Sequence, residues 1–225
     1  LKKILFYFSF LFIFRLIASP DDSTDFYILK SRELKSSHPK NALLYALKAL
    51  HTSKQKKDTT GIINSYISIA EAYWYASEIY KALENYYTAF NLCDSIRNTK
   101  EYAYCLYAIG WIECVQRKNQ DKIHFLHRSL KIYTALHDTS NIYAVKNAIW
   151  GHIIENSSSD SENFKSNVEN AISDAKTFLK IINQSKKYKN FQVSIYLSLL
   201  ELYGLINQKD SMGVIIKKLE SLKNF

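Results

Sequence analysis

The chain has 225 residues, 47% of them hydrophobic, with 5 Gly and 2 Pro. That is enough to bury a sizeable core and too little punctuation for the many tight turns of an all-β fold. The formal net charge of +9 includes Lys2, Lys3 and Arg15. The remaining lysines fall largely in turns (Lys54, Lys56 and Lys57; Lys186, Lys187 and Lys189) with no nucleic-acid motif beside them, so no nucleic-acid partner is expected through this segment.

Residues 1–19 have the layout of an export signal. Lys2 and Lys3 precede an apolar run, Ile4–Phe14, interrupted only by Ser9, and small residues, Ala18 and Ser19, lead into Pro20. The run is too short to span a bilayer, which takes about 20 residues. Cleavage after Ala18 or Ser19 is expected, with an uncleaved N-terminal anchor as the alternative. Any membrane contact is expected only through this N-terminal segment.

From there to the end, the scarcity of Gly and Pro and the abundance of Tyr (17) and Phe (12) lead us to expect an all-α chain. Helices are expected over 22–36 and 39–55, with Pro39 in a first turn. Two further pairs are expected over 58–76 and 78–96, then over 98–116 and 119–136. A helix over 139–155 meets a polar, serine-rich loop at 156–161. Beyond it, 162–184 carries an offset core pattern of Val168, Ile172, Ala175, Phe178, Leu179 and Ile182. The final pair, 187–206 and 208–223, places Tyr196, Leu199, Leu200, Tyr203, Met212, Ile216 and Leu219 inside and is expected to cap the array. With no linker in this stretch, 20–225 is expected to be one domain of five helical hairpins, at 22–55, 58–96, 98–136, 139–184 and 187–223.

Two regularities support the repeat. Asp58-Thr59, Asn98-Thr99 and Asp138-Thr139 recur at intervals of 40 residues, and these residue types cap helix N-termini. In the best unit, Tyr66, Ile69, Ala70 and Tyr73 precede Ala82, Tyr86 and Ala89, an alternation of large and small residues suited to two closely packed helices. Forty residues on stand Leu106, Ile109, Gly110 and Glu113, then Lys122, Leu126 and Ser129; Glu113 and Lys122 break the pattern. Forty residues back, the second-helix set becomes Ala42, Ala46 and Ala49.

This grammar resembles the tetratricopeptide repeat (TPR) superfamily across most of 24–223, most specifically over 58–133. The period exceeds the usual 34 residues and is similar to the longer-helix variety of kinesin light chains. The resemblance implies a right-handed α-solenoid whose first helices line a concave, non-catalytic binding groove. Together with the leader it implies an exported protein, periplasmic in a Gram-negative bacterium. Some envelope proteins of this kind form the sensor segment of a membrane-bound transcriptional regulator or histidine kinase, which is the alternative role.

In that register the groove-facing residues are Asn64, Ile67, Glu71, Trp74 and Tyr75, then Tyr104, Tyr107, Ala108, Trp111 and Cys114, then Asn147, Gly151 and Glu155. Of these, Asn64, Glu71, Trp74, Tyr75, Tyr104, Tyr107, Trp111 and Asn147 are the candidate partner-binding set. Tyr and Trp present broad, rigid area with one polar tip, which suits holding a protein or peptide. The Lys, Asn and Arg clamp that some TPR proteins use for a C-terminal carboxylate is absent, because its positions hold Tyr27, Ser31, Glu71, Tyr104 and Ala108.

No phosphate loop, nucleophile elbow or HExxH pattern occurs, so neither catalysis nor a cofactor is expected. His124 and His127 stand three apart without an evident third ligand, and solvent-facing histidines are expected there rather than a metal site. Cys93, Cys105 and Cys114 are expected as buried thiols, with a Cys93–Cys105 bridge as the alternative. The sequence does not fix an oligomeric state.

Overall fold

The computed structural model describes residues 23–93, 99–116, 119–159, 161–183 and 189–223. The expected leader at 1–19 and the Asn98 cap lie outside them. The described residues form ten α-helices and no strand, and none of these helices is long and apolar enough to cross a membrane. The chain divides into two compact units, Leu1–Arg97 and Asn98–Phe225.

The first unit holds α1 (Thr24–Leu34), α2 (Pro39–Gln55), α3 (Thr59–Tyr75) and α4 (Ile79–Leu92). Helix α1 packs on α2, α2 on α3 and α3 on α4, and α1 also reaches α3. The buried stripe of α2 is Ala42, Ala46 and Ala49, each fully enclosed. Their small side chains let neighbouring backbones approach closely. Helix α3 buries Ile63, Ile67 and Ala70, and α4 buries Ala82, Leu83, Tyr86 and Ala89. The large-small alternation of the sequence is therefore the core of this unit.

The second unit holds α5 (Lys100–Trp111), α6 (Ile123–Ala135), α7 (Thr139–Glu155), α8 (Glu162–Ile182), α9 (Lys189–Leu205) and α10 (Lys209–Lys223). Consecutive helices pack on one another throughout. Between α5 and α6, Ala103, Leu106, Ile109 and Gly110 meet Leu126, Ser129 and Tyr133. Ser129 Oγ donates to the Ala103 carbonyl at 2.7 Å. Further on, Val168, Ile172, Ala175, Phe178 and Ile182 of α8 form a core with Ile195, Leu199 and Tyr203 of α9.

Helix starts follow from capping chemistry. Ser23, Asp58, Thr99, Asp138 and Ser161 each accept a hydrogen bond from the backbone N–H three residues on. The third start thus falls on Thr99, one residue later than the 40-residue interval predicts. The turns share a second device: Lys57, Ser77, His137 and Asn207 adopt positive φ, between 52° and 63°. In each, the next residue's N–H reaches back to the carbonyl five residues earlier, as in Asp58 to Ser53 and Glu78 to Tyr73.

The third hairpin departs from this pattern. Helix α5 runs into a π turn, Ile112–Gln116, and α6 is entered through a 3₁₀ turn, Gln120–Lys122. The closing bond there spans six residues, Asn119 N–H to the Glu113 carbonyl at 2.7 Å. Glu113 and Lys122, the two positions that break the sequence pattern, sit in these irregular turns.

The last hairpin corrects one expectation. Ile215 is buried where Ile216 is expected, and Ile216 is 43% exposed, a slip of one residue in α10. The hairpin also leaves Val193, Leu197, Leu205 and Val214 exposed.

Two measurements check this packing. A Cβ on Gly110 would lie 2.9 Å from Leu126 Cγ and 3.1 Å from its backbone nitrogen. Gly110→Val is therefore expected to lower stability by about 1–3 kcal/mol despite its better helix propensity, read as a fall in urea midpoint. Asp138 is the second case. Burial opposes its charge, but hydrogen bonds from Lys100 and Asn141 outweigh burial and hold its carboxyl below the ordinary value of 3.8. A carboxylate held low contributes stability above its unfolded pKa and loses it as pH falls through the folded one. Asp138→Asn is thus expected to be less stable than wild type at neutral pH, with the gap closing below pH about 4 in a series of urea titrations.

Candidate functional site

In the first unit the candidate residues lie on α3, beside α1. Asn64, Glu71 and Tyr75 share one stripe, and two cations at the C-terminal end of α1, Arg32 and the C-cap Lys35, meet them. Arg32 Nη2 donates to Asn64 Oδ1 at 3.4 Å, and Asn64 Nδ2 donates to the Thr60 carbonyl. Lys35 Nζ pairs with Glu71 Oε1 at 2.8 Å and lies 5.7 Å from the centre of the Tyr75 ring. Glu71 is only 6% exposed, so its carboxylate is turned to Lys35 instead of solvent, which corrects the expectation that it is groove-facing. Ile67 is likewise buried, Trp74 is half-buried and Tyr75 is 46% exposed.

Arg32 and Lys35 are not among the residues the sequence points to. A signal for Lys35 exists, because Tyr75 stands forty residues after it. It is obscured because α1 is short: its cap, Ser23, precedes Asp58 by 35 residues.

In the second unit, Tyr104, Tyr107 and Trp111 line one side of α5, all half-buried. The two tyrosine rings sit 6.2 Å apart at 56°. Their neighbours Ala108 and Cys114 are buried and offer no surface. Burial and then the neighbouring Glu113 charge push the Cys114 thiol up to about 11, so it stays protonated at neutral pH. On α7, which packs against the π turn ending α5, Asn147 and Glu155 are exposed. Open space surrounds Gly151, where an added Cβ would meet nothing within 4 Å. The structure thus brings Tyr104, Tyr107 and Trp111 together and leaves an open strip along α7.

A polar cluster that the sequence did not signal joins α7 to α8. Lys146 Nζ and Trp150 Nε1 both donate to Asp174, at 2.8 and 2.9 Å, beside Tyr143 stacked on Phe178. Lys146 and Trp150 satisfy both oxygens of Asp174, and these bonds brace the fourth hairpin.

His124 and His127 are exposed, and His124 Nδ1 lies 2.8 Å from the Asp121 carbonyl. Among the described residues no three His, Cys, Asp or Glu side chains gather as a metal site. All three cysteines are buried thiols outside any disulfide.

No family model and no curated protein matches the chain. Solved structures do. BtubC (BKLC) from P. vanneervenii superposes with a TM-score of 0.64 at 14% identity, over 88% of this chain and 77% of that one. A putative kinesin light chain from Podosopora anserina, built of nearly identical TPR-like repeats, gives 0.56 at 9% identity, over 88% and 93%. A variant of that kinesin light chain gives 0.58 at 10%, over 88% and 92%. At these identities the likeness concerns the fold, and the chain has the all-α, TPR-like repeat fold.

The Lys35–Glu71 pair orders the first-unit face. Lys35→Ala leaves Glu71 buried without this counter-charge and is expected to cost about 1–3 kcal/mol. Lys30→Ala, which removes an exposed pair with Glu33, is expected to cost no more than about 0.5 kcal/mol. Equal losses for the two in thermal denaturation would contradict this ranking.

Proposed function

We propose that the chain is a non-catalytic scaffold that holds a protein or peptide, with the face of α3 as the candidate surface of the first unit and the faces of α5 and α7 as that of the second. The reading is carried by one observation: Tyr104, Tyr107 and Trp111 stand half-exposed along a single side of α5, held by a helix whose other side is core. Aromatic side chains on a rigid element lose little conformational freedom on binding and bury large area, so they serve well as anchors. Trp74 and Tyr75 supply the same chemistry on α3, with Asn64, Arg32 and Lys35 as polar partners beside them. Asn147 and the open space at Gly151 give α7 room for a bound segment. The TPR-like fold supports a protein partner, since such folds present helix faces in series.

The cell envelope, and the periplasm of a Gram-negative bacterium, is the proposed location. It is supported by the basic start and apolar run of residues 1–19. No observation favours the sensor-segment alternative over the scaffold.

The test is affinity capture from envelope extract with wild type and with a Trp74→Ala/Trp111→Ala double variant, both verified as folded by circular dichroism. The scaffold reading expects a partner held by wild type and reduced at least tenfold with the variant. Identical partner sets from both proteins would defeat the assignment of these faces.

A further inference from the structure

Residues 34–57 contain six lysines and two histidines and no acidic residue. Most of this stretch is α2, whose inner face is occupied by Ala42, Ala46, Ala49 and Ser53. Its outer face is a continuous exposed stripe of Lys40, Leu44, Leu47, His51 and Lys54, flanked by Lys48. The spacing of four, three, four and three keeps all five on one side of the helix. Leu44 and Leu47 are 60% and 46% exposed, three residues apart with lysines on either side. Among the described residues Lys40, Lys48 and Lys54 form no ion pair. Lys48 instead lies over the Tyr27 and Tyr45 rings, and Lys54 over Tyr66.

We propose that this face of α2 docks on the anionic surface of a lipid bilayer, with Leu44 and Leu47 entering the headgroup boundary and the lysines meeting lipid phosphates. Charge complementarity selects an anionic partner, because no carboxylate on the stretch would repel one. The two leucines select lipid over nucleic acid: apolar side chains between lysines gain nothing from a phosphodiester backbone, whereas they gain burial at a membrane interface. The chain's own layout agrees, since the apolar run Ile4–Phe14 ends ten residues before α1 begins. Membrane contact would then involve the folded first unit as well as the N-terminal segment.

The experiment is co-sedimentation of the full chain with vesicles of phosphatidylcholine alone or mixed with phosphatidylglycerol. Wild type should bind the anionic vesicles and weaken as salt rises. Lys40→Gln/Lys48→Gln/Lys54→Gln should lower binding about fivefold per lysine removed. Leu44→Ser/Leu47→Ser should lower it by about tenfold. A control with the same charge change on α10, Lys209→Gln/Lys217→Gln/Lys218→Gln, should bind as wild type. All of these residues are exposed, so unchanged circular dichroism is expected for every variant. The proposal is overturned by equal binding to neutral vesicles, by α2 variants that bind as wild type, or by an equal loss in the α10 control. Tighter binding to a single-stranded oligonucleotide than to anionic vesicles, lost in the α2 lysine variant, would also overturn it and assign the face to nucleic acid.

Discussion

Two helices can lie only as close as the side chains between them allow, and in this chain those side chains shrink to alanine, serine or glycine at recurring positions. Ala42, Ala46, Ala49, Ala70, Ala82, Ala89 and Ser129 are all fully enclosed, and Gly110 sits against Leu126 with no room for a Cβ. Alanine itself gains little from burial. Its value is that it lets larger neighbours, such as Tyr86, Leu106 and Tyr133, close the remaining space at interior packing density. The caps and positive-φ turns then set where each helix starts and how sharply the chain reverses. With seams and turns set, the remaining side of each helix is free to carry other chemistry.

That division explains what the sequence could and could not reveal. Helix existence and pairing were legible because the seam residues recur in register and because Asp58 and Asp138 cap their helices. The core of α8 was legible for the same reason: its stripe, Val168 to Ile182, is strongly periodic. Failures came where periodicity weakens. In α10 the apolar residues Val214, Ile215 and Ile216 are consecutive, so the pattern alone cannot say which one faces inward, and it is Ile215. In the third hairpin the residues that broke the repeat mark a π turn and a 3₁₀ entry, which no pairwise alignment of regular helices anticipates.

The candidate surface was legible in part. Tyr104, Tyr107 and Trp111 fall on one side of α5 because their spacing is helical. The state of Glu71 was not legible, because it depends on Lys35, a residue 36 positions away on another helix. A carboxylate on a predicted groove face cannot be told from one closed under a lysine until the neighbouring helix is placed. On the first-unit face the Glu71 carboxylate is thus neutralised by Lys35, which lies over the Tyr75 ring, and Arg32 stands beside them on Asn64.

The central claim is that the first helices of the hairpins, and not the second, carry the surface that holds a protein partner. Photo-crosslinking tests it most directly, with a benzophenone amino acid placed in turn at Tyr75, Tyr107 and Asn147, and at the exposed second-helix positions Tyr80 and His124. The account predicts that one and the same protein partner is captured from first-helix positions and not from Tyr80 or His124. Capture from the second-helix positions, with none from α3, α5 or α7, would contradict it.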